Sequence, residues 1–117
     1  EAMSTHHVIT ELGDEVITHT NHCLVPETLA LQQTRLPVSQ VSSENRLNKA
    51  NELLQQRPIT IEALIELTRI DPICTLSYPP FNIETCGAAI MRPQTGDFWA
   101  VWGLPSKNEY EHFNLKE

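Results

Sequence analysis

The sequence predicts an α+β fold: an antiparallel sheet of two hairpins with two helices on one face. Three observations carry that expectation. Two β-branched runs flank Gly13-Asp14, two stretches with helical apolar spacing fill the middle, and two more strand-like runs flank a turn-rich segment before Gly103. At 117 residues the chain has the length of one domain, and residues 1–117 are read as a single, incomplete one.

The first hairpin joins His7–Leu12 to Glu15–Thr20. Glycine at the first position of a two-residue turn tolerates the positive φ of a type II′ hairpin. From Pro26 to Ser43 periodicity fades, and the chain reads as an extended connection with room for a helical turn over Glu27–Gln33. A helix over Arg46–Gln56 then puts Leu47, Ala50, Leu53 and Leu54 on one stripe, with Ser43 as N-cap. Pro58 breaks it and Thr60 caps the next helix, whose buried face is Ile61, Leu64, Ile65 and Thr68. Glu62 suits its first turn, and Asp71-Pro72 ends it.

The second hairpin pairs Thr85–Met91 with Asp97–Trp102 across Arg92–Gly96. Cys86-Gly87-Ala88-Ala89 is small for a strand, which predicts a close approach by a neighbour. Gly103-Leu104-Pro105 turns the chain into an acidic tail. Four strands and two helices leave one face of the sheet bare.

Composition removes several functions. Lys and Arg number 8 against 15 Asp and Glu, a formal charge of −7, so the electrostatic footprint of a nucleic-acid binder is missing and no basic run faces a membrane. No apolar stretch nears the roughly 18 residues of a membrane span, and no signal peptide opens the sequence. Cys23, Cys74 and Cys86 are odd in number and unpatterned in spacing, which argues for reduced thiols and a cytoplasmic location rather than a disulfide framework.

Chemistry concentrates in His19-Thr20-Asn21-His22-Cys23. In extended geometry His19, Asn21 and Cys23 point to one side and Thr20 and His22 to the other. That alternation splits the two imidazoles, and no second ligand pair follows, so no metal and no cofactor are expected. It also separates Cys23 from His22, which disfavours a Cys/His nucleophile pair. Asn21 has a third possibility: a side-chain amide at a strand end can donate to a developing oxyanion, a contribution of about 3 kcal/mol. From residues alone it is equally well an ordinary turn asparagine.

The ordered set Thr18–Pro26, Ser43–Leu47, Asp71–Cys74, Thr85–Pro93 and Trp99–Pro105 resembles the C-terminal part of the penicillin acyltransferase family. These are autoprocessing cysteine N-terminal-nucleophile amidases and acyltransferases, more distantly similar to choloylglycine hydrolases. The shared pattern is T-N-H on a strand, N-R opening a helix, an I-C segment and a last hairpin ending in G-x-P, and it spans nearly the whole chain. The resemblance implies half of a two-sheet sandwich between helix layers. It places the oxyanion-hole asparagine on Asn21 and matches Thr85 to the threonine opening the penultimate strand, packing against or lining the site; independently of the resemblance, the neighbouring His19 and His22 can brace the Asn21 segment from either side.

The chain departs from the pattern in two places. Thr75 follows Ile73-Cys74 where many members carry a basic residue. The family's nucleophile is a cysteine freed after a glycine by self-cleavage of the precursor, its α-amine serving as base, whereas here His22, Ile73 and Thr85 precede the three cysteines. The resemblance therefore implies a linear amide hydrolase or acyltransferase whose nucleophile lies outside this chain, inactive as an isolated piece. Its partners would be a small amide or acyl substrate and the missing N-terminal portion of the fold. The competing expectation is a non-enzymatic association module that binds a second copy or another partner through the bare sheet face.

Overall fold

The structure, a computed structural model, describes residues 16–24, 29, 36–80 and 82–116. It is α+β, with two helices and an open three-stranded antiparallel sheet among the described residues. Residues up to Gln55 and residues from Gln56 onward form two compact units.

The first unit contains α1, Pro37–Leu53. It starts nine residues before the expected helix, because Pro37 occupies the first turn, where a missing N–H costs nothing and the fixed φ suits the helix. Ser39 N and Gln40 N both donate to Leu36 O, closing that turn without a side-chain cap. Ser43 is therefore not an N-cap but a fully buried mid-helix residue. At the other end Leu54 N still bonds Ala50 O, but Leu54 leaves helical geometry as the C-cap and Gln55 N turns to Glu52 O, so α1 stops before the expected Gln56. Leu47, Ala50, Leu53 and Leu54 are half-buried, as the stripe predicts.

Of the first expected hairpin, the strand His7–Leu12 and the Gly13-Asp14 turn lie outside the described residues, as does the possible turn over residues 27–33 apart from Leu29. Residues 16–20 carry no strand, which corrects the expectation for Glu15–Thr20. Side chains from this segment bond α1 instead: the Thr18 hydroxyl donates to Asn51 Oδ1, and the Thr20 hydroxyl donates to Ser43 O at 2.9 Å.

The second unit opens with α2, Ile61–Arg69. The Thr60 hydroxyl accepts from Ala63 N at 3.1 Å, Glu62 sits in the first turn and Arg69 in the last, so cap and helix dipole agree. Ile61, Leu64, Ile65 and Thr68 are half-buried. Arg69 fastens the chain beyond the sheet. Its Nε donates to Pro105 O at 3.0 Å and its Nη2 to Asn108 O at 3.3 Å, while its guanidinium lies 5.9 Å from the centre of the Tyr110 ring.

Three strands follow in the order β1 (Gly87–Arg92), β2 (Asp97–Trp102), β3 (Glu111–Asn114). The β1–β2 hairpin appears where expected. Its turn closes on Gly96, whose φ of 79° is the left-handed conformation that glycine tolerates. A side chain at Gly87 would meet Val101 O at 2.9 Å, the close approach that the small residues of β1 predicted. The second expected correction is β3, which the sequence placed inside an acidic tail. The sheet thus has three described strands rather than four, and only α2 shares a unit with it.

Register assigns the two faces of the sheet. Ile90, Trp99 and His112 lie opposite one another on one face, with Ala88, Val101, Arg92, Asp97 and Asn114. Ile90 and Val101 are buried there, and α2 packs against β1. The other face carries Ala89, Met91, Phe98, Ala100, Trp102, Glu111 and Phe113. Met91 is 66% and Trp102 93% exposed, so the bare face expected from the element order is present and apolar.

Candidate functional site

The polar cluster singled out in the sequence is built on the buried hydroxyl of Ser43. Residues 16–20 form no regular element, and the chain bends at Asn21-His22. The bend breaks the expected alternation: His22 and Cys23 are both buried, while His19 and Asn21 are exposed. Thr20 and His22 do share a partner, as the alternation implied. Asn21 N donates to Ser43 Oγ at 2.8 Å, His22 Nδ1 lies 2.8 Å from the same oxygen, and Thr20 Oγ1 is 3.0 Å from it. Three residues therefore converge on one helix position, and the backbone at Asn21 is fixed before its side chain is considered.

Arg46 fixes the side chain. Its Nη2 donates to Asn21 Oδ1 at 2.8 Å. A guanidinium has donors only, so the atom facing it must be the amide oxygen, and the Nδ2 group occupies the opposite edge. Ser43 and Arg46 are three apart on α1 and so lie on one helix face. One face thus holds both the backbone and the amide of Asn21. An amide donor on a pre-positioned backbone is the element that oxyanion binding requires.

The other candidates fall as follows. Cys23 is buried beside the bend, a poor position for an attacking thiolate. Cys74 is also buried, its Sγ 3.5 Å from Ser106 Oγ, and Cys86 is exposed. Thr85 belongs to the second unit, where its hydroxyl accepts from Thr75 N at 2.9 Å and its N donates to Thr75 O at 2.9 Å. These bonds tie Thr85 to Thr75. Among the described residues no group of three or more His, Cys, Asp or Glu is arranged to hold a metal ion, and no helix is long and apolar enough to cross a membrane.

Ser43 and Arg46 are the two residues whose roles sequence reading missed. Both fell in a stretch read for helix capping and helix opening. Their three-residue spacing was the available signal, but it acquires meaning only once α1 extends back through Ser43.

A second polar cluster sits at the β2–β3 end of the sheet. Asp97 accepts from the Thr95 hydroxyl, from His112 Nε2 at 2.8 Å and from Asn114 Nδ2 at 3.1 Å. The Thr95 hydrogen bond first, then those from His112 and Asn114, hold its carboxyl below the ordinary carboxylate range. His112 stacks on Trp99 with ring centres 4.7 Å apart, and the Arg92 guanidinium lies 5.6 Å from the Trp99 ring centre.

Comparison with known proteins finds no matching protein family, curated protein or solved structure.

Proposed function

We propose that this chain is the C-terminal portion of a cysteine amidase or acyltransferase that cleaves linear amide bonds through an acyl-enzyme. The observation that carries the reading is the Asn21 amide, oriented by Arg46 on a backbone anchored at Ser43. Its Nδ2 edge serves the oxygen that becomes negative when a thiolate attacks the carbonyl. No cysteine here suits the attack, since Cys23 and Cys74 are buried and none of the three follows a glycine. The nucleophile therefore comes from another part of the complete protein, and the isolated chain is inactive. The order of the resembling motifs supports the same assignment, as does a bare sheet face of the kind that packs against a second sheet. His19 and His22 flank Asn21, and Thr85 serves packing.

The test is to trap the acyl-enzyme. The complete protein is incubated with chromogenic acyl anilides, quenched in acid and mapped by peptide mass. The proposal expects the acyl adduct on a cysteine other than Cys23, Cys74 and Cys86. An adduct on one of those three, or turnover by the isolated chain, overturns it.

The apolar face supports a second reading, in which the chain associates with a second copy and performs no chemistry. Met91, Phe98, Trp102 and Phe113 form a patch of the kind that soluble proteins keep for partners. A concentration-dependent dimer that Trp102→Lys abolishes, together with no acyl adduct, favours this reading.

A further inference from the structure

We infer that the hollow at the β2–β3 end of the open sheet face is a socket for an arginine side chain of the polypeptide that covers this face. The register builds it from three rows across the strands. Ala89, Ala100 and Glu111 form the middle row, Met91, Phe98 and Phe113 the row on one side, and Gly87 and Trp102 the row on the other. Two alanines set a low floor between aromatic walls, and Glu111 closes that floor at the edge strand. The hollow measures about 500 Å³ and is also lined by Asn108 and Glu109, from the loop ahead of β3. Gly87 has no side chain to cover the Trp102 indole, which is 93% exposed.

Charge decides what fits. An apolar surface laid on Trp102 and Phe113 would take the Glu111 carboxylate out of water with nothing to meet it, and an unpaired buried charge is very costly. Among the described residues Glu111 is in no ion pair. The Arg69 guanidinium approaches Glu109 only at 3.6 Å, because its N–H groups go to Pro105 O, Asn108 O and Glu66. The covering surface must therefore bring its own cation. A second copy does not. The strands present Glu111 and no cation on this face, so two copies set face to face add carboxylate to carboxylate.

Arginine suits the hollow better than lysine. Its planar guanidinium stacks on an exposed indole while its fork meets a carboxylate through two parallel hydrogen bonds, whereas an ammonium offers a point charge. Its aliphatic stem lies along the alanine floor and covers apolar surface while the head stays at the acidic edge. The inference goes beyond the amide-cleaving reading and stands without it. In that reading the arginine belongs to the portion of the fold that packs on this sheet.

The experiment titrates the ¹⁵N-labelled chain with N-acetyl-arginine methylamide and with its citrulline counterpart, a neutral urea of nearly the same shape. Backbone and indole N–H signals are followed. The arginine probe is expected to shift the Trp102 indole and the amides of Ala100, Glu111 and Phe113 saturably, and to bind about fivefold or more tighter than citrulline. Glu111→Gln, a near-isosteric change at an exposed position, is expected to remove that preference and leave the rest of the spectrum unchanged. Trp102→Leu is expected to weaken both probes. Equal response to the two probes, no saturable response, or an arginine preference that survives either substitution overturns the inference. Tetramethylammonium is the third probe. If it binds as tightly as the arginine amide, the hollow takes any organic cation and the arginine assignment falls. A dimer of the chain alone that Trp102→Lys dissociates also overturns it, since a second copy then covers the face without a cation. These outcomes separate from the acyl-enzyme trap: the expected titration in a protein that forms no acyl-enzyme rejects the amide reading alone.

Discussion

His22 and His112 each place a ring nitrogen 2.8 Å from a side-chain oxygen, yet they sit in opposite surroundings. Around His22 the oxygen is a neutral hydroxyl at a fully buried helix position, shared with Thr20 and Asn21. Around His112 it is the Asp97 carboxylate at the β2–β3 edge of the sheet, also bonded by Thr95 and Asn114, with His112 itself exposed. A buried neutral network is costly to break, because each orphaned donor loses water as well as its partner. A surface carboxylate cluster is cheap to break, because solvent replaces the lost contacts and salt screens the charge. The first arrangement can fix the geometry of a reacting group. The second ties down an edge strand.

That contrast can be broken in several ways, beginning with its largest expected effect. Ser43→Ala removes the hydroxyl that Asn21 N–H and His22 Nδ1 share inside the first unit. We expect a stability loss of about 3 kcal/mol in chemical denaturation; a loss below about 0.5 kcal/mol would show that the network is solvated after all. Next comes Thr60→Ala, which removes the cap of α2 in the second unit and should cost about 1 kcal/mol. Protection of the first turns of α2 against hydrogen exchange is expected to fall while α1 is unaffected.

The Asp97 cluster responds to acid. Because its folded carboxyl titrates below the usual range, its contribution is full above the unfolded value of 3.8. It declines as pH falls from there through the lower folded value and is gone beneath it. Amide protection of β3 should follow that course in the native chain and lose this acid dependence in Asp97→Asn. The smallest effect is expected from Trp102→Lys. This side chain is 93% exposed, so stability should change by less than about 0.5 kcal/mol, while any self-association through the open face disappears in sedimentation.

The two regions also differed in how much the sequence disclosed. In the second unit the signals were local. Thr60 before an apolar-periodic run marked a capped helix, and the β-rich runs flanking Arg92–Gly96 marked a hairpin, as observed. β3 escaped because it has only four residues and two of them, His112 and Asn114, are polar groups held by Asp97. In the first unit the decisive contacts join positions more than twenty residues apart, which no local pattern reports. Pro37 reads equally as a breaker and as the first residue of a helix, and only the continued backbone bonding of α1 decides between them. The serines before Arg46 are weak helix formers, so propensity favoured a loop. With α1 begun too late, Ser43 became a cap instead of an anchor. Asn21 and His22 were legible as a polar cluster, but the residues that hold them were not.

The claim that most needs testing is that the Asn21 amide exists for chemistry rather than for the fold. Its side chain is exposed and held through its oxygen by Arg46, so Asn21→Ala deletes the Nδ2 donor and leaves the Asn21 N–H on Ser43 in place. Steady-state kinetics of the complete enzyme, set beside thermal melting of the same variant, separate the two roles. We predict a kcat lowered about a hundredfold or more, with KM and Tm little changed. An Asn21→Ala protein with unchanged kcat, or one whose only defect is a stability loss of about 1 to 3 kcal/mol, would contradict the oxyanion role and leave Asn21 an ordinary bend residue.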